Sequence, residues 1–276
     1  MTRRGEFCKR ITNSFTLVNV QQIEDAFRAL TLNRYEGLAV QGLIEALRHL
    51  IARQQAMDEC RRKFGVSKTG HEQPTPSQQQ ELFDLTKMYF ESYYSAMGHV
   101  LSVVARFSGV FGQVTYTEIT PFLKWLSKRS PYMSHGEFEE LERARLFRAI
   151  IGHPQQFPAV DWATSVDVGT REHTYITLFG PESRKGVIPP GSTRSDPLAA
   201  AGDWVMNPPD ELSVLNCVGS AVMFVAIEVL IARTVGSSFK PAESRRGDAI
   251  KLVLGPGGAF QAPRPIPVLG VDSRQV

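Results

Sequence analysis

The feature that most constrains the fold of this chain is a long stripe of large side chains that recur every three or four positions. The stripe comprises Leu82, Leu85, Tyr89, Tyr93, Met97, Val100, Val104 and Phe107. This spacing places the side chains on one face of an α-helix. A long helix with one apolar face must bury that face against other elements. We therefore expect a mainly α-helical bundle in which this helix, capped by Ser77, forms the spine of the core.

Part of this stripe is aromatic, and aromatic side chains on a helix allow two interpretations. The residues concerned are Tyr89, Phe90, Tyr93 and Tyr94. They could form a platform on which bases stack, but such stripes more often belong to the core of a bundle. We therefore expect them to be core residues.

Two helices are predicted before the spine helix and three after it, the last of which is the apolar segment described below. The first two cover residues 20–34 and 36–64, and Gly65 is a plausible stop. A short helix at about residues 117–128 follows the spine helix. The segment Ser134-His135-Gly136-Glu137 fits a capping box, which predicts a helix beginning just before Glu137. That helix is expected to end at Gly152-His153-Pro154, because proline disfavours helical geometry in the residue before it.

The sequence changes character after Pro154. Residues 162–168 and 173–179 are rich in threonine, valine and aromatic residues and are joined by Gly169-Thr170-Arg171, which predicts a β-hairpin. Val187 and Ile188 are candidates for a third short strand. We expect this β excursion to occupy about residues 160–190, between the last two helices of the bundle.

Residues 214–235 are almost entirely apolar and follow Asp210, which is expected to open a helix. About twenty such residues could cross a bilayer. However, Asn216, Glu228 and Arg233 interrupt the segment, and no other candidate span accompanies it. A helix that is apolar all round is also typical of the centre of a bundle. A buried central or interface helix is favoured, and a membrane-associated protein is kept as the alternative.

Composition and termini define the expected domain and its compartment. One helical domain is expected at residues 1–238, followed by a flexible, disordered tail rich in glycine and proline at residues 239–276.

Cys8, Cys60 and Cys217 are odd in number and lack metal-ligand spacing, which indicates a reducing compartment without structural zinc. The N-terminus is basic but lacks the apolar run of a signal peptide, so a cytoplasmic protein is expected. A net charge of +3 does not by itself indicate nucleic-acid binding.

The main chemical signal is an arginine and a histidine separated by four residues in Arg148-Ala-Ile-Ile-Gly-His153. Arginine can stabilise a phosphorane and histidine can move a proton, so the pair suffices for RNA cleavage without a metal or cofactor. Arg129 and His135 match the same loose pattern, but Pro131 lies between them, and we discount that match. In the plainer alternative, Arg148 is a solvated helix residue and His153 is a cation favoured near the helix C-terminus.

The order of helices, the Arg148-x4-His153 motif near the end of a bundle helix, the β excursion and the closing helix resemble the HEPN superfamily. The resemblance covers roughly residues 39–235 in organisation but only two residues in motif. In that family, the arginine and histidine lie near a two-fold dimer interface, and active members cleave RNA without a metal. The residue after the arginine is commonly polar there, whereas this chain has Ala149.

The resemblance implies that Arg148 and His153 are the catalytic pair of a metal-independent endoribonuclease. It would act as a homodimer on RNA rather than DNA, in bacterial defence, a toxin-antitoxin system or a stress response, with a cognate inhibitor protein as a further partner. In this mechanism, the 2′-hydroxyl attacks phosphorus, His153 moves the proton and Arg148 stabilises the phosphate charge. Arg143 and Arg145 could steer the RNA backbone, although surface charge is the simpler use of both. The alternative function is a non-catalytic interaction or regulatory module of the same fold.

Overall fold

The computed structural model describes residues 15–63, 66–67, 70–71, 75–115, 117–153, 160–167, 173–196 and 202–234. Over these residues, the chain is mainly helical, with a small sheet between its last two helices. The helices are α1 (Leu17–Arg28), α2 (Arg34–Lys63), α3 (Pro76–Arg106), α4 (Ser108–Phe111), α5 (Ile119–Arg129), α6 (His135–Gly152) and α7 (Glu211–Thr234). The strands are β1 (Val66–Ser67), β2 (Gly70–His71), β3 (Asp161–Asp167), β4 (His173–Gly180), β5 (Thr193–Arg194) and β6 (Trp204–Met206). The predicted tail at residues 239–276 lies outside the described residues.

The spine helix is α3, and it begins earlier than the sequence predicts. Its N-cap is Thr75, whose hydroxyl accepts from the backbone N–H of Gln78, while the Gln78 side chain accepts from the backbone N–H of Thr75. The prediction of Ser77 as the cap is wrong. Pro76 can occupy the first helical position because its missing N–H has no partner to lose there. The cap therefore moves two residues towards the N-terminus.

The boundary between the first two helices also differs from the prediction. α1 ends at Arg28, not at residue 34, and α2 already begins at Arg34. Asn33 causes this break because its side-chain oxygen accepts from the backbone N–H groups of Tyr35 and Glu36, at 2.9 and 3.0 Å. The Glu36 carboxylate in turn accepts from the backbone N–H of Asn33 at 3.0 Å. These reciprocal bonds cap α2.

The predicted capping box at the start of α6 is confirmed. The Ser134 hydroxyl accepts from the backbone N–H of Glu137 at 3.3 Å, and the Glu137 carboxylate accepts from the backbone N–H of Ser134 at 2.6 Å. The second oxygen of Glu137 accepts a hydrogen bond from Ser220 of α7 at 2.8 Å. One carboxylate therefore caps α6 and connects it to α7.

The sheet has the order β3-β4-β6-β5, and all neighbouring strands are antiparallel. The predicted hairpin is confirmed as β3 and β4, although its turn at residues 169–171 lies outside the described residues. The prediction of a strand at Val187 and Ile188 is wrong, and the β excursion extends to Met206 instead of ending near residue 190. Val187 is 61% exposed beside a turn at Gly186, where φ is +71°. The next strand of the sheet is instead β6, in which the buried residue Trp204 donates its indole N–H to the carbonyl of Pro181 at 2.9 Å.

α7 is the apolar helix, and it occupies the centre of the bundle. Asp210 caps it by accepting from the backbone N–H of Ser213 at 2.6 Å. The helix packs against α1, α2, α3, α4 and α6. Among the described residues, α7 alone is long and apolar enough to cross a membrane, with a mean hydropathy of 2.2 and 67% of that window buried. Core helices have the same length and composition, so this is weak evidence for a membrane span.

A buried polar junction joins four elements at the start of α7. Arg61 donates from Nη2 to the Glu211 carboxylate at 2.8 Å and from Nε to the carbonyl of Thr174 at 2.7 Å. The Tyr89 hydroxyl donates to the Glu211 carbonyl at 2.5 Å. The side chains of Arg61 and Glu211 are only 10% and 3% exposed. Hydrogen bonds and one ion pair therefore connect α2, α3, β4 and α7 at this junction.

Glu228 of α7 gives the first testable prediction. Burial raises the pKa of Glu228 above its ordinary value of 4.5. An acid whose pKa is raised by folding binds its proton more tightly in the folded state, so the stability it contributes at low pH is lost as pH rises through the folded pKa. We expect Glu228→Gln to raise the free energy of unfolding at neutral pH, with the gain vanishing below the ordinary pKa. Urea unfolding at about pH 4 and about pH 7 measures this difference; an equal gain at both values would contradict it.

Candidate functional site

The candidate site lies where α3 and α6 run antiparallel to each other. The rings of Phe90 and Phe147 pack with their centroids 4.8 Å apart, and the Tyr93 hydroxyl donates to the carbonyl of Leu141 at 2.6 Å. These buried contacts fix the rotation of both helices. They place the side chain of Arg148, the residue after Phe147, against the neighbouring turn of α3.

Arg148 is held by two residues of α3. Its Nε and Nη2 both donate to the same carboxylate oxygen of Glu91, at 3.0 and 2.8 Å. Its guanidinium also lies over the ring of Tyr94, 4.4 Å from the centroid, which is within cation–π range. The Arg148 side chain is 19% exposed and that of Glu91 is 38% exposed. The guanidinium is therefore oriented by the protein while part of it stays accessible to solvent.

The structure brings His153 to the same guanidinium. Nη1 of Arg148 lies 2.9 Å from Nε2 of His153. Five positions correspond to about 140° around an ideal helix, so a continuous helix would separate the two side chains. α6 instead ends at Gly152, and His153 is its C-cap with φ −130° and ψ 59°. Because arginine can only donate, this contact is a hydrogen bond when Nε2 carries no proton, that is, in the neutral tautomer with its proton on Nδ1.

Three residues of the site were not predicted as functional: Glu91, Tyr94 and, as a packing partner, Gly152. A Cβ atom at Gly152 would lie 2.4 Å from Oε1 of Glu91, so glycine allows the carboxylate to approach the end of α6. The sequence prediction assigned Tyr94 to the core together with Tyr89, Phe90 and Tyr93. Those three are fully buried, whereas Tyr94 is only half-buried beneath Arg148. The helical spacing of these residues could have indicated that Tyr94 is less buried than the other three. No signal in the sequence connects Glu91 to Arg148.

The second arginine and histidine match forms no site. The Arg129 guanidinium lies over the ring of Trp125 at 5.7 Å, and His135 lies 3.3 Å from Glu139. No contact joins the two side chains within the described part of the chain.

Arg143 and Arg145 of α6 form ion pairs with glutamates of the same helix. Arg143 contacts Glu140 at 2.9 Å, and Arg145 contacts Glu142 at 2.7 Å. These pairs fit the interpretation of both arginines as surface charge. They also account for two members of the acidic cluster on α6, while Glu137 serves as a cap.

The chemistry available at the site is that of a cation, a carboxylate, a phenol ring and an imidazole. No group of three or more histidine, cysteine, aspartate or glutamate side chains is placed to hold a metal ion in the described ranges. Comparison of the chain with protein-family models, with curated proteins and with solved structures gives no match. The assignment of function therefore depends on this geometry.

Proposed function

We propose that the protein is a metal-independent endoribonuclease of HEPN type. The observation that carries the proposal is the 2.9 Å contact between Nη1 of Arg148 and Nε2 of His153 at the exposed end of α6. A permanent cation and a titratable ring at one point are the two groups that phosphodiester cleavage by a neighbouring hydroxyl requires. Their place beside a C-cap also lets a substrate approach from solvent.

Arg148 keeps hydrogen-bonding capacity for a phosphate. A guanidinium has five N–H donors. Glu91 accepts two of them and His153 accepts a third. Within the described part of the chain, the remaining two N–H groups have no acceptor, and both are on the terminal nitrogens. Glu91 and Tyr94 hold the plane of the guanidinium, so these donors are oriented before a phosphate oxygen arrives.

His153 would exchange its partner when RNA binds. In the free protein, Arg148 occupies the Nε2 lone pair of His153. A phosphate oxygen that accepts from Nη1 in its place frees Nε2 to take the proton of the 2′-hydroxyl. The 2′-oxygen then bonds to phosphorus, and the bond from phosphorus to the 5′-oxygen breaks. The departing 5′-oxygen receives a proton from the protonated ring, leaving a 2′,3′-cyclic phosphate and a 5′-hydroxyl.

RNA cleavage in EDTA tests the proposal. Wild-type protein is expected to cut a single-stranded RNA and to leave products with 2′,3′-cyclic phosphate ends. It should not cut at a position that carries a single 2′-deoxy substitution, because the attacking hydroxyl is absent. Gel electrophoresis and mass spectrometry of the products measure both outcomes. If wild type cuts no RNA, or if Arg148→Ala and His153→Ala cut as well as wild type, the enzyme assignment is wrong.

A non-catalytic interaction module is the second candidate. The observation that favours it is the pair of hydrogen bonds from Arg148 to Glu91, which offsets the positive charge that a phosphate would meet. In that case Arg148 serves to attach the end of α6 to α3. An inactive wild type whose Arg148→Ala variant is destabilised would support this function.

The proposal includes a cytoplasmic homodimer regulated by a cognate inhibitor. α7 is buried within one chain, so it offers little surface to a second copy. The exposed large apolar side chains concentrate instead on α1 and the start of α2. Four of the seven such side chains in the described part of the chain lie there, namely Leu17, Val18, Tyr35 and Leu38. Sedimentation equilibrium of the purified chain measures the oligomeric state, and a monomer at all concentrations would exclude this part of the proposal.

A further inference from the structure

A second cluster of aromatic and basic side chains lies on α3, away from Arg148. The rings of Phe83 on α3 and Trp162 on β3 stack with their centroids 4.7 Å apart and their planes inclined by 21°. Both side chains pack against the core and are only half-buried. The stack therefore forms part of the protein surface at the point where the sheet meets the bundle.

This stack shares one face of α3 with the candidate site. Phe83, Lys87 and Glu91 follow each other at intervals of four residues, so they occupy adjacent turns of one helix face. The rise over eight helical residues is ~12 Å. Trp162 contacts Phe83 at one end of this row, and Arg148 contacts Glu91 at the other end. The stack, Lys87 and the arginine–histidine pair therefore lie in one line.

Two polar groups in this line have no partner among the residues that the structure describes. The ammonium of Lys87 has neither an ion pair nor a hydrogen bond there, although Glu91 is one turn away. Glu91 is already bonded to Arg148. The indole N–H of Trp162 likewise has no acceptor. Both groups are donors, which suits a ligand rich in oxygen acceptors.

We propose that this line is a binding track for single-stranded RNA, with a base stacked on Trp162 and a backbone phosphate at Lys87. The inference rests on the proposed function, since it names the strand that leads to the scissile phosphate at Arg148. Trp162 and Arg148 contact α3 about two helical turns apart, so the stacked base and the scissile phosphate belong to one short stretch of strand.

The chemistry of the track selects a single strand. Aromatic side chains stack on any base that is free of its neighbours, whereas the bases of a duplex are already stacked and paired. Lysine contacts phosphate as a point charge without reading sequence. The track is therefore expected to bind unpaired RNA with little sequence preference.

Binding to a non-cleavable strand tests the track separately from catalysis. The probe is a fluorescein-labelled eight-nucleotide RNA with 2′-O-methyl groups throughout, and its affinity is measured by fluorescence anisotropy in EDTA. Trp162→Ala is expected to weaken binding about tenfold, because stacking on one aromatic ring is worth about that factor. Trp162→Phe retains an aromatic ring and should restore most of the affinity. Lys87→Ala should lower the slope of log affinity against log salt by about 0.7, as expected for one phosphate contact.

Trp125 provides a matched control for the loss of a stacked tryptophan. Its ring stacks on Phe122 within α5, with centroids 5.7 Å apart. Trp125→Ala should leave RNA affinity unchanged. Thermal unfolding of each variant separates loss of binding from loss of fold. If Trp162→Ala unfolds the protein, the salt slope of Lys87→Ala and competition by duplex RNA still decide the question.

The outcomes for the track differ from those for the proposed function. Equal affinity of wild type, Trp162→Ala and Lys87→Ala for the probe would overturn the track, as would competition by duplex RNA as strong as that by a single strand. Cleavage by wild type together with unchanged binding in these variants overturns the track alone. Binding that depends on Trp162 and Lys87 without any cleavage supports the track and contradicts the nuclease.

Discussion

Replacing His153 by alanine is expected to slow RNA cleavage by about 10²- to 10⁴-fold, the usual range for loss of a general acid or base. In the proposed mechanism, the imidazole both accepts the proton of the 2′-hydroxyl and donates it to the 5′-oxygen. The substitution removes a side chain from the exposed end of α6 and no core contact. Fold and binding of the 2′-O-methyl probe should therefore be retained. Single-turnover cleavage in EDTA, with excess protein over labelled RNA, measures the rate.

His135 offers a matched control for this prediction. It is also an exposed histidine at an end of α6, and its side chain contacts Glu139 rather than an arginine. His135→Ala should cleave at the wild-type rate. Arg148→Ala should lose about 10²- to 10³-fold, and the double variant with His153→Ala should be scarcely slower than the slower single variant, because the two residues act as a unit. Equal rates for His153→Ala and His135→Ala would exclude a catalytic role for His153.

Replacing Glu211 by alanine is expected to lower the free energy of unfolding by about 3–5 kcal/mol, the cost of breaking a buried ion pair. The substitution leaves the Arg61 guanidinium nearly buried without its main anionic partner. Asp58, at 3.5 Å from Arg61, is half-exposed and compensates only weakly. Equilibrium unfolding in urea, monitored by circular dichroism, measures the loss.

Two further variants separate the buried charge from general damage. Glu81→Ala removes a carboxylate from a solvent-exposed pair with Lys63 and should cost about 1 kcal/mol or less. The double variant Arg61→Met with Glu211→Leu removes both charges and should be more stable than Glu211→Ala, because no unpaired charge is left in the interior. A Glu211→Ala variant as stable as Glu81→Ala would contradict this account of the junction.

Helix periodicity and capping patterns predicted much of the fold because both are local. The apolar stripe of α3, the cap at Ser134 and the apolar character of α7 are visible within one or a few helical turns. The predicted helix boundaries were wrong where two local signals in the sequence compete. Pro76 and Asn33 decide where helices begin, and both act against the simple apolar pattern. Strands β5 and β6 are only two and three residues long, so they depend on pairing partners that the sequence does not identify.

The candidate site was predicted only in part. Arg148 and His153 were found because a helix end and a chemically competent pair coincide in one segment of sequence. Their contact depends on the end of α6 at Gly152, which the Pro154 signal predicted. Glu91 is 57 positions away from Arg148, and only the packing of α3 against α6 brings the two together. Contacts between distant segments leave no periodic trace in a single sequence.

The central position of α7 has a consequence for synthesis on the ribosome. α1, α2, α3 and α6 all precede this helix in the chain, so they leave the exit tunnel before the element around which they pack is translated. Until then, their apolar faces have no complete partner and are open to premature association. We therefore expect the nascent chain to bind a holdase chaperone, and these helices can complete their packing only after α7 has emerged.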